Sequence, residues 1–407
     1  MKLIEGGVTS ATGFEAAGVN AGIKYKDRND MALIYSAAPC VAAGVFTKNV
    51  VKAAPVLWDR KIIDTCDIMH AVIINAGIAN ACTGKEGLSY CVQTAKAAAE
   101  VFGVRIENIA VASTGVIGMQ LPIDRIIDGV YLLKQEKGAD YEHGHTSACA
   151  IMTTDTKPKE VAIEFEVGGK TVRIGGMCKG SGMIHPDMCT MLCFITTDVA
   201  ISKKLLTEAL QNNVEDTFNM ISVDGDTSTN DTVLLMANGE AGNPVIDSKD
   251  DDYYTFSEAL RRVMEELAKM IAGDGEGCTC LFECKVINAK TKENARILAK
   301  SVITSNLTKA AIFGHDANWG RILCALGYSG VDFDPEKVDI FFESKAGILK
   351  IVGNGVSTCF SEDKASEILS QDYVIALCDM KDGSESAVAW GCDLTYDYVK
   401  INGDYRS

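Results

Sequence analysis

The sequence lacks the basic clusters of nucleic-acid-binding proteins and the long apolar runs of membrane proteins. Its 407 residues carry 39 basic against 55 acidic side chains, a formal net charge of -16, and no cluster of lysine and arginine. Nucleic-acid binders need such clusters to contact phosphates, so we expect no nucleic-acid partner. No stretch approaches about 18 consecutive apolar residues, and the first residues lack the apolar core of a signal peptide. We therefore expect no membrane partner and a cytoplasmic location.

Motifs of other enzyme classes are also missing. Lys179 occupies the first glycine position of a G-x-S-x-G elbow in Lys179-Gly180-Ser181-Gly182, and the glycine-rich turn at residues 175–182 does not end in G-K-[ST]. These absences exclude a hydrolase elbow and a nucleotide-binding loop. The five histidines form no H-E-x-x-H pair, and His143 and His145 are expected in a polar loop.

Cysteine is abundant, with fifteen residues scattered through apolar segments. This distribution is typical of buried thiols in a reducing compartment. The tightest cluster, Cys278, Cys280 and Cys284, lacks the paired second half that zinc sites require. We expect no metal and no cofactor. With 47% hydrophobic and 23% charged residues, the chain is long enough for two globular domains.

Residues 175–198 run from a glycine-rich turn, past Pro186, into an apolar strand that begins beside Thr190. The glycines and the proline can hold the backbone in one unusual path, which aims the Thr190 hydroxyl at the Cys189 carbonyl. Attack there converts the peptide bond into an ester that water opens. Thr190 then carries a free α-amine with an unperturbed pKa of about 7.7 to 8.0, which can take the proton from its own hydroxyl. The stretch therefore predicts self-cleavage between Cys189 and Thr190.

Several uncommon strings occur in one order along the chain. They are residues 75–84, 113–118, 152–156, 179–184 with 190–192, 224–231 and 314–321. Together they resemble the ornithine acetyltransferase (glutamate N-acetyltransferase) family over nearly the whole chain. Two positions depart from that family's pattern. Cys189 stands where alanine is usual before the nucleophile, and Ser407 stands where the family usually ends in threonine.

The resemblance implies an α/β fold, an αββα-type sandwich shared with self-processing aminopeptidases. Residues 1–282 would form the catalytic sandwich and residues 283–407 a smaller C-terminal α+β domain. Cleavage would give chains 1–189 and 190–407, which the family assembles as a heterotetramer of two copies of each.

The resemblance also assigns catalytic roles. Thr114 and Gly115 match the oxyanion hole, although spacing alone indicates only a strand-to-turn corner. Thr153 and Lys179 match substrate-binding positions, and we expect Lys179 to pair with an amino-acid carboxylate. Without the resemblance, the position of Lys179 in a glycine-rich turn indicates an ordinary solvated lysine.

Three further substrate-binding residues are implied. Glu276 projects between two glycines and could meet the substrate's ammonium groups. Asn402 and Ser407 lie in a C-terminal tail that spacing alone marks as fraying, and the family match predicts that the tail is ordered and reaches the active site.

The implied reaction takes acetyl from N2-acetylornithine onto Thr190 and passes it to glutamate. The sequence leaves open whether acetyl-CoA is also a donor. A self-processing aminopeptidase would use the same nucleophile but pass the acyl group to water, and a non-catalytic binding protein would stay uncleaved. Lys179, Glu276, Asn402 and Ser407 together fit a charged amino acid as the acceptor better than a peptide, which favours the transferase.

Periodicity and turn residues predict a set of elements. The strands are 41–46, 71–74, 109–112 and 232–236, with a hairpin over 161–174. The helices are 86–102, one starting near Ile123, 202–211, 257–272 and 292–303.

Overall fold

A computed structural model of the chain describes residues 1–185 and 191–404, which divide into two compact units. The first unit comprises residues 1–180, 187–215 and 227–267, and the second comprises 181–186, 216–226 and 268–407. The predicted domain boundary near residue 282 stays a prediction.

Within the described residues of the first unit, nine strands form one sheet. They are β1 (Lys2–Ile4), β2 (Phe14–Val19), β3 (Met31–Phe46), β4 (Met69–Asn75), β5 (Ile109–Ser113), β6 (Lys159–Val167), β7 (Lys170–Lys179), β8 (Leu192–Thr197) and β9 (Thr232–Ala237). The strand order is β1-β6-β7-β8-β9-β3-β4-β5, and β2 pairs with β3. The first half of β3 pairs with β2 and β4 and its second half pairs with β9, with a register shift between Tyr35 and Cys40.

The predicted hairpin of β6 and β7 is confirmed. Gly168 and Gly169 form its two-residue turn with φ of +55° and +72°. Both central residues of this turn type need a positive φ, which glycine adopts at little steric cost.

Helices pack against this sheet and enclose an apolar core rich in alanine, valine and isoleucine. They are α1 (Ala54–Thr65), α2 (Gly84–Phe102), α3 (Ile123–Glu136), α4 (Tyr141–Ala150), α5 (Lys203–Val214) and α6 (Asp251–Ala272), the last with residues 251–267 in this unit. Gly103 ends α2 in the left-handed region at φ +69°, as its sequence predicts.

Two helices differ from the sequence-based expectation. The expected polar loop with His143 and His145 is α4, which Asp140 caps by accepting the His143 amide at 3.1 Å. Helix α6 begins six residues before the expected start because Asp250 accepts the Tyr253 amide at 3.1 Å. In both cases an aspartate N-cap was the sequence signal that was overlooked.

The second unit contains a mixed sheet in the order β13-β12-β11-β14-β10-β15. Its strands are β10 (Leu281–Ala289), β11 (Asp339–Ser344), β12 (Gly347–Gly353), β13 (Val356–Ser357), β14 (Tyr373–Asp379) and β15 (Glu385–Cys392). Its helices are α7 (Lys292–Thr304), α8 (Asn306–Phe313), α9 (Trp319–Gly327), α10 (Glu362–Leu369) and α11 (Tyr396–Gly403). These two units confirm the predicted α/β fold class.

No helix among residues 1–185 and 191–404 combines the length and apolar character that crossing a bilayer requires.

Candidate active site

The proposed cleavage site is described only through its neighbours. Cys189, Thr190 and Ser407 lie outside the described ranges. The next residue after Thr190, Met191, donates its amide to the Asp231 carboxyl group, and its carbonyl accepts the Thr232 amide at 2.8 Å. The chain that follows Thr190 is therefore fixed to the start of β9.

Lys179, the last residue of β7, forms hydrogen bonds with two of the other predicted site residues. It stands opposite Leu192 in the β7–β8 pairing. Its Nζ donates to Thr153 Oγ1 at 2.7 Å and to Thr114 Oγ1 at 3.4 Å. The Lys179 side chain is only 10% exposed. Lys179 is therefore not the solvated lysine that spacing alone suggests, but a nearly buried cation held by two threonine hydroxyls.

Asp155 anchors this cluster and was not singled out from the sequence. Its Oδ1 accepts the Gly180 amide and the buried Lys159 ammonium, both at 2.7 Å, and its Oδ2 accepts the Thr153 amide at 3.0 Å. Lys179 Nζ lies 3.8 Å from Oδ2. Burial works to raise the pKa of Asp155, but the charges of Lys179 and Lys159 and these hydrogen bonds outweigh it and hold that pKa well below its usual value.

Thr114 and Gly115 form a sharp corner after β5. Gly115 has φ of +126°, and a Cβ there would overlap the Gly77 carbonyl carbon. The Thr114 amide donates to the Asn75 carbonyl at 3.0 Å, so it is already engaged. Among the described residues, the Gly115 amide has no acceptor. The available donors are thus the Gly115 amide and the Thr114 hydroxyl, whose oxygen accepts a hydrogen bond from Lys179 Nζ and whose own O–H can donate.

Asp231 is a second buried carboxyl group that sequence reasoning did not single out. Burial raises its pKa well above the usual value, although hydrogen bonds from Ser228 and Thr47 oppose the change. Within the described part of the chain, its Oδ2 has no hydrogen-bond partner. A raised pKa favours the neutral acid. Asp231 ends the uncommon string at residues 224–231, which is the signal that the sequence offered.

In the second unit, the structure brings Glu276 and Asn402 together. The Glu276 carboxylate is buried and accepts from Asn402 Nδ2 at 2.7 Å, and its amide donates to the Ser181 carbonyl at 2.9 Å. A Cβ at Gly182 would overlap the Glu276 carboxyl group, so a larger residue there would displace this carboxyl group. Asn402 lies in α11. The expected reach of the C-terminal tail into the active site stays a prediction, because its last residues, 405–407, lie outside the described ranges.

Asp224 fixes the turn upstream of the proposed cleavage site. It accepts the Met183 amide at 2.7 Å and the Ile184 amide at 2.9 Å, and Met183 has a positive φ of 54°. The Tyr398 hydroxyl donates to the same carboxylate at 3.2 Å. Burial and the neighbouring Asp224 carboxylate raise the pKa of Tyr398. Asp224 therefore holds the chain in a conformation that a non-glycine residue rarely adopts.

No group of three histidine, cysteine, aspartate or glutamate side chains in the described residues could hold a metal ion.

Donors placed like the Gly115 amide and the Thr114 hydroxyl can stabilise the negative charge that develops on a carbonyl oxygen during acyl transfer. The sequence model of the ArgJ family matches residues 15–407, and the chain belongs to this family. The family predicted from the six strings is thus confirmed.

Two relatives match over essentially their whole lengths. The chain is 50% identical to the arginine biosynthesis bifunctional protein ArgJ 1 of Clostridium acetobutylicum, over 98% of this chain and 97% of that protein. It is 51% identical to the arginine biosynthesis bifunctional protein ArgJ of Symbiobacterium thermophilum, over 100% of both. A crystal structure of ArgJ from Bacillus halodurans is 44% identical with a TM-score of 0.49, covering 52% of this chain and 97% of that chain.

Proposed function

We propose that this protein is a self-processing glutamate N-acetyltransferase of arginine biosynthesis. It transfers acetyl from N2-acetylornithine to the Thr190 hydroxyl and then to glutamate, releasing ornithine and N-acetylglutamate. Membership of the ArgJ family supports the proposal, as do the names of its relatives.

The Lys179 cluster is the observation that carries the proposal. Its ammonium is nearly buried, bound to the Thr153 and Thr114 hydroxyls, and it stands opposite Leu192, two residues after Thr190. A substrate carboxylate can replace the two hydroxyls as the partner of the Lys179 ammonium. It would then form a charge-assisted hydrogen bond in this nearly buried site. Donor and acceptor are both amino acids with an α-carboxylate, so one lysine serves each in turn.

The Gly115 amide and Thr114 hydroxyl provide the second half of the chemistry. Acyl transfer builds negative charge on the carbonyl oxygen of the tetrahedral intermediate, and preorganised donors stabilise that charge. Because the Thr114 amide is engaged, we assign the oxyanion hole to these two donors. The free α-amine of Thr190 takes the hydroxyl proton during attack and returns it to the leaving amine.

The remaining assignments follow the family pattern. Glu276 and Asn402 bind substrate polar groups, with the carboxylate suited to an ammonium and the amide orienting it, and Ser407 is a further substrate contact. Acetyl-CoA is a possible second donor, and the two cleaved chains assemble as a cytoplasmic heterotetramer.

Acetylation of the enzyme by one substrate alone tests the proposal. Incubation with acetylornithine should leave one acetyl group on the 190–407 chain in quenched samples. Double-reciprocal plots at several glutamate concentrations should be parallel. Intersecting lines without an acetylated chain would point to direct transfer between two bound substrates. Acyl transfer to water with no transfer to glutamate would point to an aminopeptidase.

Processing is tested by the intact mass of the purified protein. Wild type should give two chains, 1–189 and 190–407, whereas Thr190→Ala should remain one inactive chain. Thr190→Ser is the matched control, because it keeps a hydroxyl at the same atom. Cleavage of Thr190→Ala at the same bond would exclude the intramolecular mechanism.

A further inference from the structure

Helix α4 carries a cysteine and a histidine that the acyl-transfer chemistry does not use. His145 and Cys149 are four residues apart, so they lie on one face of this helix. Cys149 Sγ lies 3.7 Å from His145 Nε2, within hydrogen-bond distance for sulfur. At the opposite side of the ring, His145 Nδ1 lies 2.6 Å from Glu160 Oε2 in β6. The three side chains therefore connect a thiol through an imidazole to a carboxyl group.

Glu160 fixes the tautomer and the orientation of the imidazole. A carboxylate only accepts hydrogen bonds, so His145 Nδ1 carries the proton and Nε2 keeps a free lone pair. The Glu160 side chain is 8% exposed, and its Oε1 has no hydrogen-bond partner in the part of the chain that the structure describes. Burial raises the pKa of Glu160, and the hydrogen bond with His145 opposes that change. Tyr141 stacks on the imidazole with 5.6 Å between ring centroids, which restricts the ring further.

The sulfur is accessible, and it stays protonated until it reacts. Cys149 is partly exposed, as is His145. Burial and the nearby carboxylates of Glu160 and Glu142 raise the pKa of Cys149. A thiolate at rest is therefore disfavoured, and the proton has to leave the sulfur as the sulfur attacks. The Nε2 lone pair is placed to accept this proton, which is how a general base serves a nucleophile.

Carboxylates near the sulfur discriminate among reagents by charge. Glu142 is three residues before His145 and seven before Cys149, so it lies on the same face of α4. Glu160 faces the imidazole from β6. Negative charges at a site raise the local concentration of cations and lower that of anions. A positively charged reagent should therefore reach this thiol more readily than a negatively charged one.

We propose that Cys149 is a modification site at which small cationic disulfides form a mixed disulfide, with His145 as the general base. The Cys149 sulfur attacks one sulfur of the reagent while its proton passes to His145 Nε2. The S–S bond of the reagent breaks, and the leaving thiolate takes the proton from Nε2. Cys149 is oxidised, the departing half of the reagent is reduced to a thiol, and the imidazole returns to its starting state. Glu160 stabilises the positive charge that the ring carries between the two proton transfers.

Peptide mapping of the native protein tests the site without any activity measurement. The protein is incubated with cystamine at pH 7, free thiols are blocked with N-ethylmaleimide in denaturant, and the mixed disulfide at each cysteine is followed with time. Cys66 is the internal reference, because it is also partly exposed but its sulfur contacts Thr65 Oγ1, at 3.6 Å, rather than a base. Cys149 should react at least about tenfold faster than Cys66, and dithiothreitol should remove the adduct. Equal rates, or no adduct at Cys149, overturn the proposal.

The role of the imidazole is tested by His145→Gln, which keeps a polar side chain but removes the base. Modification of Cys149 should slow about tenfold or more, while the rate at Cys66 stays at its wild-type value and shows that the variant is folded. His143→Gln is the matched control, because His143 lies two residues away in α4 and bonds Asp140 instead. It should leave the rate at Cys149 unchanged. A wild-type rate at Cys149 in folded His145→Gln overturns the assignment of the base.

Glu160→Gln gives a second test of the relay. Glutamine keeps an oxygen that accepts from Nδ1 but loses the negative charge that stabilises the protonated ring. The rate at Cys149 should fall between the rates of wild type and His145→Gln. A rate equal to that of wild type would mean that Glu160 does not support the base.

The charge preference is tested by comparing cystamine with oxidised glutathione, which is anionic at pH 7. Because the two reagents also differ in size, the decisive measure is how Glu142→Gln changes the ratio of their rates at Cys149. Loss of this carboxylate should lower the ratio by about twofold or more at low ionic strength. The wild-type ratio in Glu142→Gln overturns the preference for cationic disulfides.

Discussion

Replacing Asp155 with asparagine should destabilise the first unit strongly. The carboxylate is buried and ionised, and it accepts from the Gly180 amide, the Thr153 amide and Lys159 while lying 3.8 Å from Lys179 Nζ. Asparagine keeps one oxygen, which can still accept at the Oδ1 position. Its NH₂ group then faces the Thr153 amide, so one hydrogen bond is replaced by two opposed donors. Both lysines also lose their shared counter-charge.

The expected loss in the free energy of unfolding is about 3–5 kcal/mol, the cost typical of removing one partner of a buried pair. Urea unfolding followed by far-UV circular dichroism measures it. Asp372→Asn is the control, because Asp372 pairs with Lys345 at 2.9 Å with side chains 78% and 69% exposed. Exposed pairs contribute little, so Asp372→Asn should behave almost as wild type. If Asp155→Asn were no less stable than Asp372→Asn, the reasoning about this cluster would be refuted.

The pH dependence gives an independent check on Asp155. The pKa of Asp155 in the folded protein lies below the unfolded value of about 3.9. Its contribution to the free energy of unfolding is therefore complete above about pH 3.9 and is lost as the pH falls below this value. Wild type should therefore lose stability in this acid range more steeply than Asp155→Asn. Parallel curves for the two proteins would mean that Asp155 is not the responsible group.

Three other substitutions have defined outcomes. Thr114→Ala removes one oxyanion donor and should lower kcat about a hundred- to a thousandfold with less effect on KM, and unchanged turnover of the processed variant would exclude this role. Gly115→Ala places a methyl group on the Gly77 carbonyl at a positive φ, so the soluble yield or the melting temperature should fall, whereas wild-type stability would show that the corner can relax. Burial raises the pKa of Asp59 well above its usual value, so its stabilising contribution is complete below about pH 3.9 and declines as the pH rises. In urea unfolding, Asp59→Asn should thus be more stable than wild type at pH 7 and similar to wild type at pH 4. Equal stability of the two proteins at both pH values would show that the pKa of Asp59 is not raised by burial.

The elements that the sequence predicted correctly depend on contacts between residues close together in the chain. Gly168 and Gly169 predicted the β6–β7 turn, and Gly103 predicted the end of α2, because backbone conformation is decided within a few residues. The start of α6 was placed late although its signal, the aspartates at 250–252, was equally local.

The site was only partly predictable, because its contacts join distant segments. The resemblance placed Thr114, Thr153 and Lys179 at the site, and the structure brings these three together. No spacing rule reveals that Asp155 accepts the Gly180 amide 25 residues later. The same limit hid Asp231 and Asp224, whose carboxyl groups were visible in the sequence but whose partners were not.

The order of strands in the large sheet has a consequence for the proposed cut. Strands β8 and β9 lie after residue 190, and in the sheet they stand between β7 and β3, both of which come from before residue 189. After scission, the strands of the shorter fragment would be separated into two groups with a gap between them. The longer fragment would supply the pair of parallel strands that fills this gap. Neither fragment could complete its backbone hydrogen bonding alone. Cleavage would thus release a new chain end without creating two independent proteins, and separately synthesised fragments would have to fold around each other to regain the sheet.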